Sequence, residues 1–307
     1  MAIVCRTKNS METYPITTYC YSGRIFTPQE IEWIRDYITA NPGLHRLALS
    51  RLVAKHLQWL GPNGRVKEMS CRVAMLRMYR DGLIELPAAQ RKNGNGKKRL
   101  REFSMTSAGG PLISTPAGQL GPFVITQAVT IHDTRLWNEL IQRHHYLGHS
   151  PLTGAQIKYL VFTADGSLVA ALGFAAAAWK VASRDQFIQW SSKQRVRNLH
   201  LVVNNARFLI MPWVTSKNLA SHILSLAAKQ LPLDWQVRYN YQPVLMETFV
   251  QKDKFKGTCY RAANWILLGV TQGRGKRDRF NKFSLPIKDV FVYPLNKSFR
   301  NILCASA

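Results

Sequence analysis

A chain of 307 residues with 46% hydrophobic and 19% charged side chains is long enough for two domains and apolar enough to give each a core, which excludes a disordered polymer. Its 42 Lys and Arg against 17 Asp and Glu leave a formal net charge of +25, with 18 basic and 8 acidic residues up to position 120 and 24 and 9 beyond it. A body cationic throughout repels itself and is matched by a polyphosphate, so DNA, single- or double-stranded, is the expected partner and a membrane is not.

Residues 1–24 carry no periodicity and read as a lead-in. Thr27-Pro28-Gln29-Glu30 is a capping box with proline at the first helical position, and Ile31, Ile34 and Ile38 follow at helical spacing until Asn41-Pro42-Gly43. A second helix is predicted over 46–57, with Leu49, Leu52, Val53 and His56 on one face. After the turn Gly61-Pro62-Asn63-Gly64 comes a third over 67–80, with Met69, Val73 and Leu76 toward the core. A short strand at 83–86, a basic Gly/Asn tract at 91–99 and a strand at 100–103 complete the order of a winged helix-turn-helix. The winged-helix domain is set at 25–104, a Ser/Thr/Gly/Pro-rich linker at 105–121 and a second domain at 122–307. There strands are predicted at 123–129, 157–163, 168–174, 207–214, 244–250, 266–271 and 290–293, and helices at 134–145, 218–230 and 258–265, with 182–205 irregular or helical. The fold class is α/β (α+β): a mixed sheet with flanking helices.

The third helix of the head is the expected DNA reader, with Arg65, Lys67, Arg72 and Arg77 around it and Lys97, Lys98 and Arg99 on the wing. In the second domain Arg195, Asn204, Asn205 and Arg207 lie in a segment of Arg and Asn interleaved with apolar residues, a composition that lines nucleic-acid grooves. Arg261 and Asn264 share a predicted helix with Tyr260 and Trp265, side chains that stack on bases and bond to them, and Arg274 and Lys276 sit in a Gly-rich cationic loop. Glu247 interrupts an apolar strand, where a lone charge is costly, so a buried ion pair and a catalytic role are both open for it. Asp185 stands beside Arg184, and Glu247, Asp185 and Tyr260 are the candidate catalytic residues.

No metal site is expected. The histidines at 144, 145 and 149 have no carboxylate at ligand spacing, and Cys5, Cys20, Cys71, Cys259 and Cys304 form no zinc pattern and read as reduced thiols. A divalent ion enters only with a nuclease reading. The apolar run at 168–179 is too short to cross a bilayer and no signal-peptide core is seen, so a cytoplasmic location is expected.

HHYLG at 144–148, LGFAAAAWKVASRDQFIQW at 172–190, NLHLVVNNARFLIMPWV at 198–214, PVLMETFV at 243–250, GTCYRAANW at 257–265, TQGRGK at 271–276 and LPIKD at 285–289 resemble the DruA family, a component of the Druantia anti-phage system. Domains of this kind also occur fused to DDE-type transposases. The resemblance extends to the head through GRVKEMSCR at 64–72. It implies a DNA-binding role in phage defence or transposition beside other proteins of such a system, and it carries no reaction with it. The order of elements is also similar to the GNAT acetyltransferase fold. Where that fold opens its long helix with a Gly-rich loop, this chain has Thr215-Ser216-Lys217-Asn218, and Trp265 stands where a tyrosine is usual, which argues against coenzyme A. A metal-dependent nuclease or strand-transfer enzyme and a GNAT-like transferase acting on nucleic acid stand as the alternatives.

Overall fold

Residues 19–90, 107, 109–274 and 285–305 are described by a computed structural model, and contacts divide the chain into two units at Leu100.

The first unit opens with a hairpin, β1 (Tyr19–Tyr21) and β2 (Arg24–Phe26). Its turn residues Ser22 and Gly23 both have positive φ, the primed geometry that matches strand twist. The 19–24 part of the expected lead-in belongs to this hairpin and carries Tyr21 into the core. Strands of three residues are too short to show a period of two. Helix α1 (Pro28–Ala40) begins at the expected capping box, with Thr27 and Glu30 each bonding the other's backbone amide. Helices α2 (Arg46–His56) and α3 (Glu68–Arg80) follow, and Ile31, Ile34, Leu49, Val53, Cys71, Ala74, Met75 and Met78 fill the space between them.

Two expectations for this unit are corrected. The buried face of α3 is Cys71, Ala74, Met75 and Met78, while Met69 and Val73 point outward, 55% and 39% exposed. Apolar residues ring this helix, so periodicity alone could not choose the face. Residues 83–86 form no strand; Arg35 Nε and Arg46 Nε instead bond the Leu83 and Pro87 carbonyls. The wing tract at 91–99 and its strand at 100–103 lie outside the described residues.

The second unit is built on seven strands: β3 (Val124–Gln127), β4 (Gln156–Phe162), β5 (Leu168–Ala176), β6 (Val202–Ile210), β7 (Leu245–Gln251), β8 (Ile266–Val270) and β9 (Lys288–Pro294). Their order is β3-β4-β5-β6-β7-β9-β8. Every pair is antiparallel except β6–β7, which is parallel and paired only from Val202↔Leu245 to Asn204↔Glu247. Beyond that point the two strands part. Helices α4 (Ile131–His144), α5 (Ala182–Ile188), α6 (Ser192–Asn198) and α9 (Phe299–Leu303) cover one face. Trp137 of α4 reaches the Leu172 carbonyl and lies under Lys158, while Ile188, Trp190, Phe299 and Leu303 pack on Val202, Leu245 and Val292. The other face is covered by α7 (Leu219–Tyr239) and α8 (Thr258–Ala262), through Asp234 to the Tyr159 hydroxyl and through Tyr260.

Three local differences have physical causes. The central strand β6 starts at Val202 rather than 207, because Asn204 and Asn205, poor strand formers, are held between two neighbouring strands. Helix α7 runs through Pro232 to Tyr239, since Leu231 and Trp235 are buried and Asp234 is bonded by Tyr159 and Gln230. Residues 113–117, expected in a linker, lie on this unit: Ile113 pairs with Val214, and the Ala117 amide bonds the Lys217 carbonyl.

Candidate functional site

Paired residues share a face of a sheet, so the register sorts the candidate side chains. Asn204, Arg207, Glu247 and Lys288 project to the α4/α5 side, and Asn205, Phe208 and Thr248 to the α7/α8 side.

On the first side the central feature is Arg184, an arginine with no exposed side chain. Its Nη1 donates to Glu247 Oε2 at 2.7 Å and to the Ala178 carbonyl at 2.8 Å, and its Nε and Nη2 donate to Asp185 Oδ1 at 3.0 and 2.8 Å. Asp185 also accepts from Trp190 Nε1 at 3.1 Å and from Arg195 Nη1 at 3.4 Å, and Glu247 Oε1 accepts the Ala178 amide at 2.8 Å. Burial raises the Glu247 carboxyl, against the pull of Arg184 and the amide. Two carboxylates and two guanidiniums balance, and a guanidinium occupies the place between the acids where a nuclease would need a metal. The group fastens α5 and α6 to β7. Arg184 is read in the sequence only as the neighbour of Asp185 and not as the partner of Glu247.

On the opposite side Tyr260 spans the gap where β6 and β7 part. Its hydroxyl donates to Asn205 Oδ1 of β6 at 2.9 Å and lies 3.5 Å from Thr248 Oγ1 of β7, which donates to the Asn205 carbonyl at 3.0 Å. The ring packs on Phe208, Trp265 and Phe291, and burial holds the phenol above its ordinary value, as a neutral donor.

The third group surrounds Arg207. A register shift places Arg207 opposite Gly173 and Asn205 opposite Phe174, so Ala206 is the extra residue of a β-bulge, a device that re-aims side chains. Arg207 Nη1 donates to the Ala206 carbonyl at 2.7 Å and Nη2 to Ser150 Oγ at 2.8 Å, while Nε is buried without a partner. Half-buried, it has no carboxylate within ion-pair distance among the described residues, and burial lowers its pKa. Lys288 is lowered by burial and by Arg207, and His145 falls from 6.5 to about 4 for the same two reasons. Beside them Tyr146 and Phe255, 38% and 46% exposed, meet at 5.1 Å. Sequence reasoning missed His145, Tyr146, Ser150 and Lys288, although HHYLG and LPIKD contain three of them.

The remaining candidates are dispersed. Arg65, Lys67 and Arg77 are exposed on the first unit, and half-buried Arg72 donates to the Met69 sulfur. Arg195 is held by Asp185, with its guanidinium 5.8 Å from the Trp179 ring. Arg261 and Asn264 are exposed at α8 and Arg274 after β8, whereas Lys97, Lys98, Arg99 and Lys276 lie outside the described residues. Among the described residues no group of three His, Cys, Asp or Glu could hold a metal, and no helix is long and apolar enough to cross a membrane.

Seven strands with one parallel pair that parts, and with the last strand inserted between the two before it, make the sheet of a GNAT-type acetyltransferase fold. The chain belongs to the DruA family, that of the Druantia protein DruA, whose model matches residues 77–284. Among solved structures it is similar to a chimera of the Vibrio cholerae spermidine N-acetyltransferase SpeG with hSSAT, at 12% identity over 56% of this chain and 95% of that one, TM-score 0.37. It is also similar to the Vibrio cholerae spermidine N-acetyltransferase in complex with CoA and spermine, at 13% identity over 55% and 92%, TM-score 0.35. At these TM-scores the likenesses carry no argument. No curated protein matches the chain.

Coenzyme A, which the fold family implies, does not fit the residues present. Tyr260 fills the gap between β6 and β7, and α7 opens on a left-handed Asn218 with no glycine loop before it. The 113–117 segment is bonded onto 213–217 in front of that helix start.

Proposed function

We propose that this DruA-family protein serves anti-phage defence by binding DNA through the cations of both units, beside other proteins of the same system. The observation that carries the reading is Arg207: a half-buried guanidinium with no acidic partner among the described residues, joined by Lys288. Clustered cations without counter-charges are an unfinished arrangement, and a phosphate completes it. The outward face of α3 supports the same reading in the first unit, since Met69 and Val73 stand among Arg72, Arg77 and Arg80, apolar and cationic groups suited to a groove edge and its phosphates. Glu247 and Asp185 act as the frame that positions α5 and α6. Tyr260 acts as the tie between β6 and β7.

The test is incubation of the full chain with duplex and single-stranded DNA, with and without magnesium or manganese, scored for retention and for cleavage. Retention with the DNA intact is expected. No retention at low salt contradicts the reading, and metal-dependent cleavage abolished by Glu247→Gln would return these carboxylates to catalysis.

A further inference from the structure

The surroundings of Arg207 narrow the kind of DNA this unit can take. The guanidinium does not stand on an outer rim. It rises from the middle of the sheet, at the bulge of β6, and is tied by Ser150 to the loop after α4. Its Nε is enclosed with no acceptor, and Asn204 Oδ1, on the same face of the same strand, is enclosed with no donor. Buried polar atoms without partners are uncommon, and a pair of them on one face calls for a ligand that offers both acceptor and donor groups. A nucleotide offers both.

Above these groups stand two rings. Tyr146 belongs to the loop that follows α4, and Phe255 to the loop that follows β7. His145 stacks on Tyr146 at 4.8 Å, and Lys254 Nζ lies 5.4 Å from the Tyr146 ring centre. Asp253, which acts electrostatically on Tyr146, accepts from Gln251 Nε2 at 3.1 Å. Exposed aromatic faces beside cations form the surface on which unpaired bases stack. A duplex keeps its bases stacked inside and its phosphates outside, so a paired nucleotide cannot reach a half-buried guanidinium and an aromatic face together.

We propose that the face over the β6 bulge receives one unpaired nucleotide of DNA, a single-stranded end or an extruded base, with its phosphate on Arg207 and Lys288 and its base on Tyr146 and Phe255. The proposal rests on the DNA-binding reading and sharpens it from DNA to unpaired DNA for this unit.

The experiment uses the full chain and a short oligonucleotide carrying 2-aminopurine, as a single strand and as a blunt duplex. Stacking quenches 2-aminopurine emission, so the single strand is expected to bind with quenching and the duplex without it. Tyr146→Ala should weaken single-strand binding roughly tenfold, the loss of one stacking contact, and Tyr146→Phe should restore it. Duplex affinity should stay unchanged in both. Arg207→Ala should weaken single-strand binding and reduce its log–log salt slope by about 0.7, the share of one phosphate. Tyr146 is exposed enough for its variants to keep the parent thermal transition. Single-strand affinity untouched by Tyr146→Ala, or duplex affinity falling in parallel, overturns the unpaired-nucleotide site and leaves the DNA-binding reading standing. Absence of binding to either form at low salt overturns both.

Discussion

Glu247 is a fully buried carboxyl group, and the guanidinium of Arg184 beside it makes that tolerable. Removing one member of a buried pair leaves the other uncompensated, so Glu247→Gln is expected to destabilise the second unit by about 3 kcal/mol, read from chemical denaturation. A fully stable variant would show that Arg184 does not need its partner. His145 gives a pH dependence of definite sign. Its folded pKa, about 4, lies below the ordinary 6.5, because burial and Arg207 oppose the charged ring. The unfolded chain therefore takes up the proton first, and the stability present above pH 6.5 is lost as pH falls from 6.5 toward 4. His145→Gln should flatten that part of the stability profile, and an unchanged acid limb would contradict the assignment.

At the scale of elements, the basic tract at 91–99, expected as a wing, is proposed to contact DNA and lies outside the described residues. Changing Lys97, Lys98 and Arg99 together to Ala should weaken duplex binding while leaving the melting transition in place; equal affinity with an intact melting transition would remove this tract from the interface. What could be read ahead of the structure followed local rules. The start of α1 was legible because a capping box is a four-residue signal, and the β4–β5 hairpin because Asp165-Gly166 punctuates two apolar runs. Long-range packing hid the rest. Asn204 and Asn205 look like the end of a strand until β5 and β7 are placed on either side, and Pro232 looks like the end of a helix until Trp235 is seen in the core. The candidate site was legible by type rather than by geometry. Glu247 stood out as a charge in an apolar strand, but only the fold shows that the guanidinium of Arg184 meets it, and that Arg207 has no such acid among the described residues.

For the whole molecule, the proposed DNA binding accounts for a net charge of +25 over two units, and that charge would give the binding its signature. Each phosphate neutralised by a Lys or Arg releases counterions, so affinity must fall steeply as salt rises. The deciding measurement is the affinity of the full chain for a short duplex over a range of salt concentrations. Engagement of five or more phosphates predicts a log–log slope of about −4 or steeper. An affinity that does not change with salt, or no binding at low salt, would contradict the claim that these cations are there for DNA.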